Sequence, residues 1–264
     1  MNLRIALKLT LFSVAASFAA VSTDAAGTCP TDYQPGPCDV INKDGALVFK
    51  DTCQKAVYWI FSADSMFEGG QHALDVLAEK GVKASFFFTG NFLRNSAWRP
   101  TIERVIADGH YVGGHSDGHI LLADWDAAKT ILVDADSCVK DAKANLRELA
   151  KFGITPRMAR YLLPPYEWTT PMHTAAYNSI GLTVINNSPG LIIFTDFTTP
   201  DMKAYRTSQE IIDQFMERLD THGLNGAFII MHLGTEDART DKLYRHLGML
   251  IDTLNARGYR QLRL

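Results

Sequence analysis

The sequence predicts an α/β fold built on a mostly parallel sheet. Three observations predict it: short apolar runs recur, longer helical patterns separate them, and most of those patterns end in glycine. The strand-like runs are VYWIF (57–61), KASFFF (83–88), HYVGG (110–114), RYLL (160–163), LTVIN (182–186), AFIIM (227–231) and the C-terminal GYRQLRL. Between them WRPTIERVIADG, the long stretch 126–153, PMHTAAYNSIG, TSQEIIDQFMERLDTHG and DKLYRHLGMLIDTLNARG carry helical periodicity. No repeat period is visible, so the sheet is either open or closed into a barrel.

The flanks and composition narrow the class. Residues 1–25 combine Arg4 and Lys8, an apolar run and small residues, the pattern of a cleaved export signal. That reading makes the protein exported, periplasmic or secreted. Residues 26–54 are rich in Pro, Gly and Asp and read as an extended N-terminal arm, and 55–264 as one domain. A net charge of −3 without a basic stripe argues against nucleic acid as a partner. Neither GxGxxG nor GxxxxGK[ST] occurs, which removes dinucleotide and P-loop chemistry. The four cysteines, Cys29, Cys38, Cys53 and Cys138, suit disulfides in an oxidising compartment. Three pairings are open; the expected one is Cys29–Cys38 with Cys53–Cys138.

The chemistry-bearing residues gather at strand ends. His115 and His119 stand four apart after a short strand, a spacing that can set two imidazoles on one side of a helical turn. Neutral imidazole is a common zinc ligand, and a catalytic zinc takes three protein ligands plus water. Asp64 ends the first strand as a third ligand should. LLPPYEW (162–168) presents Tyr166, Glu167 and Trp168 after the fourth strand, and His232 ends a buried run. Parallel α/β sheets place their reacting groups at this end.

In order, the strand-end Asp, the HSxxH run at 115–119, the PPY run at 164–166, Asp196-Phe197 and the terminal MHL run resemble polysaccharide deacetylases of carbohydrate esterase family four, the NodB homology domain. The resemblance covers about residues 55–264. It implies a distorted (β/α) barrel of seven or eight mostly parallel strands and removal of acetyl groups from an N-acetylated polysaccharide or peptidoglycan. The implied metal is divalent, zinc first, with Ni, Co or Mn as alternatives, held by Asp64, His115 and His119. His232 is the implied acid, Asp196 its partner (Asp201 the second match), and the Tyr166 N–H the oxyanion donor. A glycan is the expected partner, and no protein partner is implied. Trp125, Trp168, Pro165 and Asn186 are expected to contact it.

Two motifs depart from that family. Its first motif carries an Asp base before the metal Asp, where this chain has Ser62 or Ala63, and Leu163 replaces the Arg that holds the base. Glu68 is the expected substitute base and Glu167 the other candidate. The alternative function is a weak or inactive relative that still binds metal and glycan.

Overall fold

The computed structural model describes residues 34–264. The signal-like segment and Cys29 lie outside the described residues. Nine strands alternate with helices: β1 (Val40–Ile41), β2 (Leu47–Phe49), β3 (Ala56–Ala63), β4 (Ser85–Phe88), β5 (Tyr111–Gly114), β6 (Tyr161–Leu162), β7 (Thr183–Val184), β8 (Ala227–His232) and β9 (Arg260–Leu262). Their order is β1-β2-β8-β3-β4-β5-β6-β7, with β9 pairing the first half of β3 and β4 its second half. β3 through β9 pair in parallel; β1 with β2 and β2 with β8 are antiparallel. A parallel bridge between Leu47 and Ile185 joins β2 to the end of β7, curling the sheet into the expected distorted barrel.

The arm differs from expectation, because β1 and β2 make it part of the sheet. A Cys38–Cys53 disulfide closes it, so the expected pairing is wrong, and Cys138 is a free, buried thiol on a helix. Closing a 15-residue loop is worth about 3 kcal/mol in the chain-entropy account.

Strand alternation builds two cores. Tyr58 and Ile60 of β3 point into the barrel with Phe87, Tyr161, Leu163, Phe228 and Ile230. Trp59 and Phe61 face the helices, and Trp59 Nε1 donates to Gln261 Oε1 at 2.6 Å. The helices are α1 (Gly70–Glu79), α2 (Gly90–Arg94), α3 (Arg99–Ala107), α4 (Ala135–Ala150), α5 (Pro171–Asn178), α6 (Ser208–His222) and α7 (Leu247–Ala256). The predicted helix over 126–153 is shorter because the Asp134 carboxylate caps it, accepting from Ser137 N at 2.7 Å. Upstream, Asp126 organises a turn instead, accepting from Thr130 N at 2.9 Å. None of the described helices is long and apolar enough to cross a membrane.

Candidate active site

The C-terminal ends of β3, β5, β6 and β8 open onto one cleft of about 770 Å³. Asp64, His115, His119, Tyr166, Glu167 and His232 all line it. Asp64 follows β3, and its Oδ1 accepts from Thr89 Oγ1 at 2.9 Å and Asn91 Nδ2 at 3.2 Å. Thr89 is itself the N-cap of α2, so a helix start fixes the carboxylate and leaves Oδ2 open.

The two imidazoles meet without a helical turn. Residues 115–119 form a loop in which Ser116 (φ 71°) and His119 (φ 53°) are left-handed, bringing the rings to 5.0 Å between centroids. Such conformations cost free energy and persist only when the surroundings hold them. Asp141 of α4 does so, accepting from Asp117 N at 2.9 Å and Gly118 N at 3.1 Å. Asp117 itself points outward in a bidentate pair with Arg94.

His115 Nδ1–H donates to the Leu163 carbonyl at 2.7 Å, which leaves Nε2 as a lone pair. Burial first, then the neighbouring His119, holds the His115 pKa well below its ordinary value. Burial also lowers His119, against the opposing charge of Asp64. Both rings are therefore neutral near pH 7, the form that binds metal.

At the far wall, His232 Nδ1 pairs with Asp196 Oδ1 at 2.7 Å, and His232 N donates to Asp196 Oδ2 at 2.9 Å. Burial alone would lower the His232 pKa, but the charge and hydrogen bond of buried Asp196, with Glu167 adding, raise it. The Asp196 carboxylate thereby favours the protonated ring, and Nε2 makes no hydrogen bond among the described residues. After β6, Tyr166 (φ 61°) and Glu167 (φ 51°) are both left-handed. Glu167 N and Trp168 N donate to Pro164 O and Pro165 O, whereas no hydrogen bond engages the Tyr166 N–H.

The polysaccharide deacetylase model matches residues 49–185, just over half the chain. The chain belongs to the polysaccharide deacetylase family. It is 28% identical to a chitin deacetylase of Pestalotiopsis sp over 170 residues, 64% of this chain and 52% of the relative. A carbohydrate esterase family four pseudoenzyme from Bacillus anthracis superposes with a TM-score of 0.65 at 15% identity, over 84% of this chain and 68% of that one. A family 4 acetyl xylan esterase from Clostridium thermocellum, solved with cobalt, gives 0.58 at 22% identity, over 79% and 87%.

Several site expectations for this family member need correction. Glu68 does not line the cleft: its Oε1 accepts from Lys242 Nζ at 3.0 Å and Thr235 N at 3.1 Å. Lys242 is nearly buried and needs the countercharge, so Glu68 is pulled away from the chemistry. Asn186 is buried and spends its amide on the Glu167 carbonyl at 2.8 Å, so it supports the turn rather than a ligand. Pro165 is buried within that turn. Trp168 is not among the residues lining the cleft: one face lies under Lys129 Nζ at 4.0 Å and its ring is 5.4 Å from Trp125. Trp125 itself lines the cleft and is 57% exposed.

Sequence reasoning missed Met66 and Phe194, which line the cleft with Phe197 and Met202. Phe197 beside them stacks edge-on to His232 at 5.3 Å. Phe197 was marked by its place beside Asp196, but Met66 and Phe194 lie in short segments that carry no periodic signal.

Proposed function

We propose that this protein is an exported, metal-dependent deacetylase of an N-acetylated polysaccharide or peptidoglycan. The observation that carries the reading is the convergence of Asp64, His115, His119 and the His232–Asp196 pair on one cleft. The donors suit a divalent ion, zinc first, by their chemistry: two neutral imidazoles and a carboxylate with one free oxygen. Among the described residues, the only such donor trio within 4.8 Å of one another is Cys38, Asp51 and Cys53, two of which are the disulfide sulfurs. The Asp64, His115 and His119 donors are therefore more widely spaced than a closed site.

When bound, the ion would polarise an acetamide carbonyl and acidify a water. The chain's own groups supply the rest. The unpaired Tyr166 N–H is free to donate to the oxyanion, a contribution of about 2.7–4 kcal/mol for one donor. His232, whose pKa Asp196 raises, is the group to deliver a proton to the departing amine nitrogen. Trp125 and Tyr166 offer the apolar faces that pyranose rings stack on, with ring centroids 5.6 Å apart at 84°. The chitin deacetylase relative supports an N-acetylated glycan as substrate.

A second reading has its own observation. Ser62 or Ala63, and Leu163, all buried and none of them ionisable as a base or an Arg, stand where the family's base and its Arg are expected, which favours an inactive relative that still binds metal and glycan. Acetate release from chitin oligomers and peptidoglycan fragments, with and without chelator, separates the two. Release that chelator abolishes supports the first reading; metal-loaded protein that releases none supports the second.

A further inference from the structure

The cleft lacks a carboxylate on the first strand but holds one elsewhere. Among the described residues the carboxylates that line it are Asp64, Glu167 and Glu236. Asp64 is committed through Oδ1 to Thr89 and Asn91. Glu236 is exposed at the rim. Glu167 alone is partly buried with no hydrogen bond or ion pair to its carboxylate. We propose that Glu167 is the general base of the acetyl-releasing reaction, relocated from the first strand to the turn after β6. The inference rests on the deacetylase reading above and supplies the step that reading leaves open.

The backbone is arranged for this role. Two consecutive left-handed residues, Tyr166 and Glu167, turn the chain back on itself after the rigid Pro164-Pro165 pair. The Asn186 amide then clamps the Glu167 carbonyl, fixing the main chain from β7. The same turn thus carries the Tyr166 N–H and the Glu167 carboxylate, placing oxyanion donor and base on adjacent residues. Glu68, the competing candidate, is neutralised by Lys242 and absent from the cleft wall. Desolvation, opposed by His232 and aided by Asp196, raises the Glu167 pKa to about 7, which suits a base working near neutrality.

The step balances within the residues present. The Glu167 carboxylate takes a proton from water, and the hydroxide oxygen bonds to the acetyl carbon, giving a tetrahedral oxyanion. The carbonyl re-forms as the C–N bond breaks, and the His232 imidazolium protonates the leaving nitrogen. Acetic acid and free amine depart, and the proton on Glu167 returns through solvent to His232.

The test uses the mature, zinc-loaded chain with an N-acetylated chitin oligomer. Glu167→Gln should lower kcat by about 10²–10⁴, the usual share of a general base, with zinc content unchanged by elemental analysis. Glu167→Ala should be equally slow and regain turnover when formate is added. The inference is overturned if Glu167→Gln keeps kcat within a few-fold of wild type, if it loses zinc, or if formate rescues nothing. It also fails if the loss belongs to Glu68→Gln instead. Wild-type protein that binds zinc yet releases no acetate from any probe sinks the deacetylase reading itself, and this inference with it.

Discussion

The histidine side of the cleft and the first-strand side differ in how their polar groups are satisfied. His115 and His232 each spend one nitrogen on a fixed acceptor, Leu163 O or Asp196, and keep the other free. On the first-strand side, Ala63 is a buried apolar side chain, and Glu68 is drawn off to Lys242. On the turn after β6, Glu167 is, among the described residues, the partly buried cleft carboxylate with no hydrogen bond or ion pair. The two histidines are oriented by fixed acceptors, whereas the Glu167 carboxylate is held only through its backbone, by the Asn186 amide on its carbonyl.

The largest effect expected from this contrast is at His232. His232→Ala should cost about 10²–10⁴ in kcat, the range for a lost general acid, with metal content retained. A variant that loses its metal would make His232 a ligand, and one of wild-type activity would remove it from the mechanism. Asp196→Asn sharpens the same point through pH. Asp196 raises the His232 pKa, so activity that needs the protonated ring falls as pH rises through that pKa. Without the carboxylate, this falling limb should shift to lower pH; an unmoved limb would separate the two residues.

On the other side, Glu68→Gln should act on stability rather than chemistry. It leaves the Lys242 ammonium short of a charged partner, at a cost of about 1–3 kcal/mol readable by denaturant unfolding, while kcat changes little. Trp125→Ala should raise KM for a glycan by roughly threefold to tenfold, since an aromatic contact is worth about 0.5–1.5 kcal/mol. An unchanged KM would place the sugar elsewhere.

The smallest effect lies outside the cleft. His110 Nδ1 accepts from Ala84 N at 3.0 Å, and burial chiefly lowers its pKa from 6.5 to about 4. Between those values the unfolded chain binds more protons, so stability should decline as pH falls from 6.5 towards 4. His110→Asn should flatten that slope; an unaltered slope would assign it to other groups.

The parallel sheet was legible because buried strands such as AVYWIFSA are continuous apolar runs. Asp196 was legible by its place before an aromatic residue, and its bond to His232 agrees with the expected pairing. What sequence could not give depended on chain folding in three dimensions. The Cys38–Cys53 bridge, the attachment of β1 and β2, and the Glu68–Lys242 pair across 174 positions each join segments with no shared local pattern. The left-handed His119 and Glu167 were hidden for a related reason. Such φ values favour glycine, and these residues adopt them only because Asp141, Asn186 and the proline pair hold the loops.

Elemental analysis of the purified chain decides whether His115, His119 and Asp64 hold a metal. Wild type should carry one divalent ion per chain, zinc foremost. His115→Ala and His119→Ala should lose it, and Asp64→Asn should bind it far more weakly. Undiminished metal in both histidine variants would contradict the account, and normal binding by Asp64→Asn would assign that carboxylate to the base instead.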